Sequence, residues 1–189
     1  GIAFASFGYT LCPETDLTGI VAEISTAFRH LARIAPDNGI DAGRIVVGGH
    51  SAGAHLAACL LTRVGHPGED APTPAGLALV SGVFALGPVR RSYVNEKVGM
   101  TAEEARILSP AIHPPRADVP VALFVGEEET GEFHRQTAAL ANSWRPLLSA
   151  LTVATLPGRD HFDILDEMAT ADGAILSAAL GTTRAEDTP

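Results

Sequence analysis

The sequence predicts an α/β fold in which a mostly parallel sheet is covered by helices on both of its faces. Two observations lead to this expectation. Short apolar segments without polar alternation, typical of strands that are buried on both faces, recur along the chain. They alternate with longer segments whose apolar residues repeat every three or four positions, as in amphipathic helices. The chain of 189 residues has no internal repeat, which favours a single domain.

The predicted elements follow one another in a regular order. The predicted strands are Ile2–Tyr9, Arg44–Gly49, Leu77–Phe84, Val119–Glu127 and Leu151–Gly158. The predicted helices are Leu17–Ala35, Ala52–Val64, Glu132–Trp144 and Phe162–Leu180. Thr15 or Asp16 can cap the first helix, and Pro36 should end it.

Three stretches lie outside this alternation. A Gly/Pro-rich loop, residues 65–76, precedes the third strand. Residues 87–117 have several prolines and short helical pieces around "TAEEARIL", and we expect them to form a cap-like insertion. Residues 181–189 resemble a flexible tail, so that the domain itself should span residues 1–180.

Composition and charge narrow the class of partner. The net charge of −9 argues against nucleic acid, because basic residues supply most of that affinity. The chain has no run of about 20 apolar residues and no signal-peptide pattern, so we expect no membrane span and a cytoplasmic location. Cys12 and Cys59 have no metal-site spacing, and neither a metal nor a cofactor is expected. A small-molecule substrate is the expected partner, and a homodimer is left open.

The segment from Gly49 to Gly53 reads Gly-His-Ser-Ala-Gly and lies between a predicted strand and a predicted helix. In this G-x-S-x-G context a tight turn exposes the hydroxyl of Ser51 to a base, and small neighbours avoid collisions with the strand or helix. The N–H of Ala52 would face a developing oxyanion. A small-residue turn that only packs a helix on a strand remains the alternative. A dinucleotide-binding fingerprint is excluded, because His50 occupies a position that must be glycine.

Two further strand ends carry the residue types that would activate a serine. Of the seven histidines, only His161 follows a late strand, where its ring could reach Ser51. Three consecutive carboxylates, Glu127, Glu128 and Glu129, follow the fourth strand. A run of this kind is usually a solvated loop, yet a carboxylate here could orient the histidine. The residues alone leave open which carboxylate does so.

Several motifs together resemble one known family. "RIVVGGHSAGAHLA", "VSGVFALGPV", "SYVNEKVGM", "VGEEETGEFHRQT" and "GRDHFDIL" are similar to the kynurenine formamidase (arylformamidase) branch of the α/β-hydrolases, which is close to the hormone-sensitive-lipase-like esterases. The likeness extends from "GYTLCPE" to about Leu165. It implies an α/β-hydrolase fold with Ser51 as nucleophile and His161 as base. The family's acid, normally an aspartate, falls on Glu129, which is longer by about 1.5 Å.

The resemblance also implies a missing part. The family places a His-Gly-Gly loop, which supplies oxyanion N–H groups, before the strand that here opens the chain, and these 189 residues contain no such sequence. Three strands of the family's sheet also have no counterpart, including one that normally lies between the first and second predicted strands. Because Gly1 is not preceded by a methionine and already opens a predicted strand, we expect the fold to be N-terminally truncated.

The reaction that the resemblance implies is hydrolysis of the formamide of N-formyl-L-kynurenine to kynurenine and formate. Residues 87–113 would determine substrate specificity, and Arg90 or Arg91 could bind the carboxylate of the substrate. A short-chain carboxylesterase is the first alternative, since the same three residues serve either reaction. A non-catalytic hydrolase-like binding module is the second.

Overall fold

Four parallel strands form one sheet in the computed structural model, which describes residues 1–64, 71–170 and 173–184. The strand order within these residues is β1-β2-β3-β4. The strands are β1 (Val46–His50), β2 (Gly76–Val80), β3 (Val121–Gly126) and β4 (Leu151–Leu156). Because all four run in the same direction, their carboxyl ends meet at one edge of the sheet.

Helices follow the strands and cover both faces of the sheet. The longer helices are α1 (Leu17–Ile34), α2 (Ala52–Leu60), α6 (Gly131–Trp144) and α8 (Ala174–Arg184). The shorter helices are α3 (Leu86–Arg90), α4 (Asn95–Val98), α5 (Ala102–Ile107) and α7 (Asp166–Ala169). Single 3-10 turns occur at Pro36–Asn38, Ala42–Arg44, Pro110–Ile112, Arg145–Leu147 and Asp163–Leu165. No helix among the described residues is long and apolar enough to cross a membrane.

The alternation of side chains along β2 and β3 divides the core between the two faces. Leu79 and Leu123 lie on one face with residues of α2 and α6, including the fully buried Trp144. Val80 and Phe124 lie on the other face with Ile175 of α8 and with neighbouring apolar residues. Strands with apolar residues on both faces form where helices cover both sides, as the sequence predicts.

The first helix forms as predicted. Its N-cap is Asp16, whose side chain accepts a hydrogen bond from the N–H of Gly19 at 2.7 Å. The buried face of α1 packs against α2 and consists of Ile20, Val21, Ile24, Ser25 and Phe28.

The prediction of a strand over Ile2–Tyr9 is wrong. The segment has no strand structure, and Ile2 and Phe4 are largely exposed, although Phe7 and Tyr9 pack against the residues around α1. A strand needs a neighbour that accepts and donates its backbone hydrogen bonds. In the described part of the chain no strand lies beyond β1 to supply this neighbour.

The single helix predicted over Phe162–Leu180 is also wrong. A 3-10 turn and α7 occupy its first part, Thr170 has an extended backbone, and α8 begins only at Ala174. Gly173 lies so close to the carbonyl of Glu167 that a Cβ at this position would overlap it. The break lets α8 pack on the sheet face that Val80 and Phe124 form.

The boundaries of two other predicted stretches change. Helix α8 continues to Arg184, so residues 181–184 belong to a helix and not to a tail. Residues 185–189 of the predicted tail and 65–70 of the predicted loop lie outside the described residues. The stretch 87–117 contains three short helices, and α5 begins with a capping box between Thr101 and Glu104.

Candidate active site

Ser51 lies at the tip of a tight turn between β1 and α2. Its backbone has φ 55° and ψ −118°, which non-glycine residues rarely adopt. The N–H of Ser51 donates to the carbonyl of Val80 at 2.9 Å and so ties the turn to the end of β2. Ala52 is the first residue of α2, and its N–H therefore has no acceptor within the helix. The turn presents a hydroxyl beside the start of a helix.

The two glycines of the turn have different roles. A Cβ at Gly49 would overlap the backbone of Gly53 and Ala54, so strand and helix can approach this closely only with glycine at position 49. A Cβ at Gly53 would meet no heavy atom within 4 Å among the described residues. The approach of strand to helix therefore needs glycine at position 49, whereas position 53 has space for a Cβ.

His161 lies in the loop after β4 and contacts Ser51 across the edge of the sheet. Its Nε2 is 3.1 Å from the Oγ of Ser51, and its Nδ1 is 2.8 Å from the Oε2 of Glu129. A carboxylate can only accept, so Nδ1 carries the proton and Nε2 accepts from the serine hydroxyl. The structure thus brings together the three residues that the sequence singles out.

The loop that carries His161 is held by short-range hydrogen bonds. The Oδ1 of Asp160 accepts from the N–H groups of Phe162 and Asp163 at 2.7 and 2.9 Å, which closes the turn around the histidine. A Cβ at Gly126 would overlap the carbonyl of Arg159, so the loop packs directly on the end of β3. These contacts hold the loop that positions the imidazole.

Only the third of the three consecutive glutamates points into this site. The side chain of Glu129 is fully buried, and its Oε1 accepts from the Oγ of Ser81 at 2.5 Å and from the N–H of Gly126 at 2.8 Å. Glu127 and Glu128 are exposed, and Glu127 accepts a hydrogen bond from the N–H of Gly158. The choice that the sequence left open therefore falls on Glu129.

Three aromatic rings surround the imidazole of His161. Phe133 stacks on it with ring centroids 4.2 Å apart, and Phe162 contacts it edge-on at 5.4 Å. The ring of His50 lies 4.5 Å away, and its Nε2 donates to the backbone carbonyl of His161 at 2.8 Å. Burial lowers the pKa of His50, and the positive charge of a protonated His161 lowers it further. His50 therefore favours its neutral form.

Sequence reasoning missed Ser81, Phe133 and the bond from His50. Ser81 follows directly after β2, so the rule that functional residues gather at the carboxyl ends of strands could have indicated it. Phe133 lies within "VGEEETGEFHRQT", one of the motifs that carry the family resemblance, but the sequence assigned it no role. Across residues 1–64, 71–170 and 173–184, no group of three or more His, Cys, Asp or Glu side chains is arranged to hold a metal ion.

Two curated proteins are similar in sequence to this chain. The chain is 28% identical over 181 residues to a kynurenine formamidase from Salmo salar and 27% identical over 173 residues to one from Danio rerio. These alignments cover 91% and 89% of this chain but only 59% and 58% of the two relatives. The chain therefore spans less than two thirds of the length of the curated relatives that it matches.

Solved structures show the same fold. A protein from Silicibacter sp. TM1040 that has been proposed to be a thioesterase superposes with a TM-score of 0.77 at 29% identity, over 91% of this chain and 62% of that chain. Esterase 2 from Thermogutta terrifontis superposes with a TM-score of 0.64 at 21% identity, over 90% of this chain and 63% of that chain.

The family model that matches the chain is that of the alpha/beta hydrolase fold, and the match covers residues 1–162. This range includes the turn at Ser51, the whole described sheet and His161. The chain belongs to the alpha/beta hydrolase fold family.

Proposed function

We propose that Ser51, His161 and Glu129 form a catalytic triad and that the complete gene product is a serine hydrolase. One observation carries this proposal: two hydrogen bonds, of 3.1 and 2.8 Å, join the serine hydroxyl to a buried carboxylate through one imidazole. A serine hydroxyl is a weak nucleophile unless a base removes its proton, and the base works best when a third group holds its tautomer. Family membership supports hydrolysis as the reaction class.

The proposed substrate is N-formyl-L-kynurenine, and the two kynurenine formamidases support this choice. The Oγ of Ser51 attacks the formyl carbon while its proton passes to the Nε2 of His161. The N–H of Ala52 donates to the resulting oxyanion. The carbon–nitrogen bond then breaks, the proton on Nε2 passes to the leaving nitrogen, and kynurenine departs from a formylated serine.

A water molecule completes the cycle. It attacks the formyl ester while the Nε2 of His161 takes its proton, and that proton returns to the Oγ of Ser51 as formate leaves. Glu129 accepts the hydrogen bond from the Nδ1 of His161 and stabilises the imidazolium that forms in each half of the reaction. We assign substrate specificity to residues 87–113, which lie in the connection between β2 and β3.

A carboxylesterase is the second candidate. The superposition with the proposed thioesterase from Silicibacter sp. TM1040, at 29% identity, favours an ester over an amide. The same three residues would act in the same order, since an alcohol or thiol would leave in place of the arylamine. Only the substrate pocket separates the two reactions.

The test uses the complete gene product and two measurements. A fluorophosphonate probe should label Ser51, as peptide mass spectrometry can locate, and Ser51→Ala should abolish the label. The values of kcat/KM should then be higher for N-formyl-L-kynurenine than for a p-nitrophenyl acyl ester. Turnover of the ester alone would favour the carboxylesterase. Absence of both label and turnover would contradict the triad and favour a binding module.

A further inference from the structure

Ser81 contacts the carboxylate of Glu129 from the side opposite His161. The residue follows directly after β2 and is fully buried, and its Oγ donates to the Oε1 of Glu129 at 2.5 Å. The N–H of Gly126 donates to the same oxygen at 2.8 Å, while Oε2 accepts from the Nδ1 of His161. Both carboxylate oxygens thus have fixed donors, and an unbroken chain of hydrogen bonds runs from Ser51 to Ser81.

The backbone at Ser81 lies in a region that favours glycine. Its φ is 50°, and among the described residues the only other non-glycine residue with a positive φ is Ser51, at the end of the neighbouring strand. The N–H of Ser81 donates to the carbonyl of Phe124 at 2.8 Å, which holds this conformation in place. Glycine would relieve the strain but would lack the hydroxyl. A serine at this position indicates that the hydroxyl has a function that outweighs the backbone strain.

We propose that Ser81 is a positioning residue that fixes the carboxylate of Glu129 against His161. This inference rests on the proposed catalytic role of Ser51, His161 and Glu129. A buried carboxylate can turn about its own terminal bond unless both oxygens are held, and rotation would move Oε2 away from Nδ1. The hydroxyl of Ser81, together with the N–H of Gly126, opposes this rotation because both donate a hydrogen bond to Oε1.

The hydroxyl of Ser81 should stabilise the transition state more than it strengthens substrate binding. The imidazole of His161 becomes positively charged only as the proton leaves Ser51, and the oriented carboxylate stabilises that charge. Ser81 itself is fully buried, and its hydroxyl donates to Glu129. Loss of its hydroxyl should therefore lower kcat and leave KM nearly unchanged.

Two substitutions separate the hydroxyl from the backbone strain. Ser81→Ala removes the hydroxyl and keeps a side chain at a positive φ, whereas Ser81→Gly removes the hydroxyl and relieves the strain. Both variants should lose about 10- to 100-fold in kcat, the range expected for one hydrogen bond to a charged group. Ser81→Gly should have the higher melting temperature of the two.

A spectroscopic measurement reports on the same contact. The proton on the Nδ1 of His161 should give a low-field NMR resonance because it is hydrogen-bonded to a carboxylate, and this resonance should shift or broaden in both hydroxyl-free variants. Ser25→Ala is the matched control, since Ser25 is also a buried serine but lies in α1. It should leave both kcat and the resonance unchanged.

The outcomes distinguish this inference from the proposed function. If Ser81→Ala and Ser81→Gly keep the kcat and the resonance of the wild type while His161→Ala is inactive, Ser81 only fills space and the inference is wrong. If Ser51→Ala or His161→Ala keeps the turnover of the wild type, the proposed function fails. If Ser81→Gly recovers activity that Ser81→Ala loses, strain and not the hydroxyl is responsible, and the inference is again wrong.

Discussion

Glu129 is the residue whose charge and length matter most to the proposed chemistry. Glu129→Gln keeps the volume of the side chain but lets an amide donor face His161, which favours the wrong tautomer of the imidazole. We expect kcat to fall about 10⁴-fold, as for the equivalent change in a Ser-His-Asp triad. Glu129→Asp keeps the charge but shortens the side chain by about 1.5 Å, and its loss should be smaller.

The neighbouring carboxylate offers a control for the change at Glu129. Glu128→Gln removes one charge from the same turn, but its side chain is exposed. It should leave kcat within about twofold of the wild type, because an exposed charge at this distance is screened by water. Steady-state kinetics of the three variants settle the comparison. A Glu129→Gln variant within tenfold of the wild type would remove Glu129 from the proposed triad.

The same three glutamates show a limit of sequence reasoning at this scale. Glu127, Glu128 and Glu129 have identical chemistry and adjacent positions, so no pattern in the residues distinguishes them. The turn after β3 decides the choice, because it directs only the third side chain into the interior, where Ser81 and Gly126 supply donors. The resemblance to a family indicated Glu129, and the local sequence could not.

Among the elements, the strand, turn and helix around Ser51 depend on one close backbone contact. Gly49→Ala would place a Cβ against the backbone of Gly53 and Ala54, which cannot move without shifting α2. We expect a loss of about 1–3 kcal/mol in the free energy of unfolding, the usual range for overpacking. Denaturant unfolding followed by circular dichroism measures this loss.

Gly53→Ala is the matched substitution in the same turn. Its Cβ would enter space that holds no heavy atom within 4 Å among the described residues, and alanine favours a helix over glycine. We expect the free energy of unfolding to stay equal or to rise by up to about 1 kcal/mol. Equal destabilisation by both substitutions would show that the approach of β1 to α2 is not the constraint.

Elements that depend on local pattern were predictable, and those that depend on distant partners were not. Helix α1 and the strands β1 to β4 follow from apolar periodicity and recognisable caps. The segment Ile2–Tyr9 has the composition of a strand, but strand structure also needs a neighbouring strand. After α7, Gly173 lies close to the carbonyl of Glu167, a contact that periodicity does not reveal.

For the whole molecule, the parallel sheet explains why distant residues meet. One residue of the site follows each strand: Ser51 follows β1, Ser81 follows β2, Glu129 follows β3 and His161 follows β4. Because parallel strands end at one edge, this order along the chain becomes an order in space. The convergence was predictable from the alternation of strands and helices, whereas the hydrogen-bond partners were not, since they depend on turn geometry.

A buried histidine outside this edge should make the stability of the whole fold depend on pH. His55 of α2 is almost fully buried, and its Nε2 donates to the carbonyl of Leu108, just after α5, at 2.7 Å. Burial lowers its pKa from the usual 6.5, and the bond to Leu108 opposes this only in part. The nearby thiol of Cys59 stays neutral, because burial raises its pKa.

The sign of the effect follows from proton binding. Below about pH 6.5 the unfolded chain protonates this histidine while the folded protein keeps it neutral, so the unfolded state binds more protons. Stability is therefore fully present above pH 6.5 and falls as the pH drops toward the lowered pKa. The slope should reach up to about 1.4 kcal/mol per pH unit for this one group, and His50 adds to it in the same direction.

His55→Gln tests the predicted dependence of stability on pH, because an amide can still donate to the carbonyl of Leu108 but does not titrate. Urea unfolding between pH 5 and pH 8 should show a smaller slope of stability against pH for this variant than for the wild type. His30→Gln is the control, since His30 lies exposed on α1, and its slope should match that of the wild type. An unchanged slope in His55→Gln would contradict this prediction. It would show that protonation of His55 does not change the free energy of unfolding.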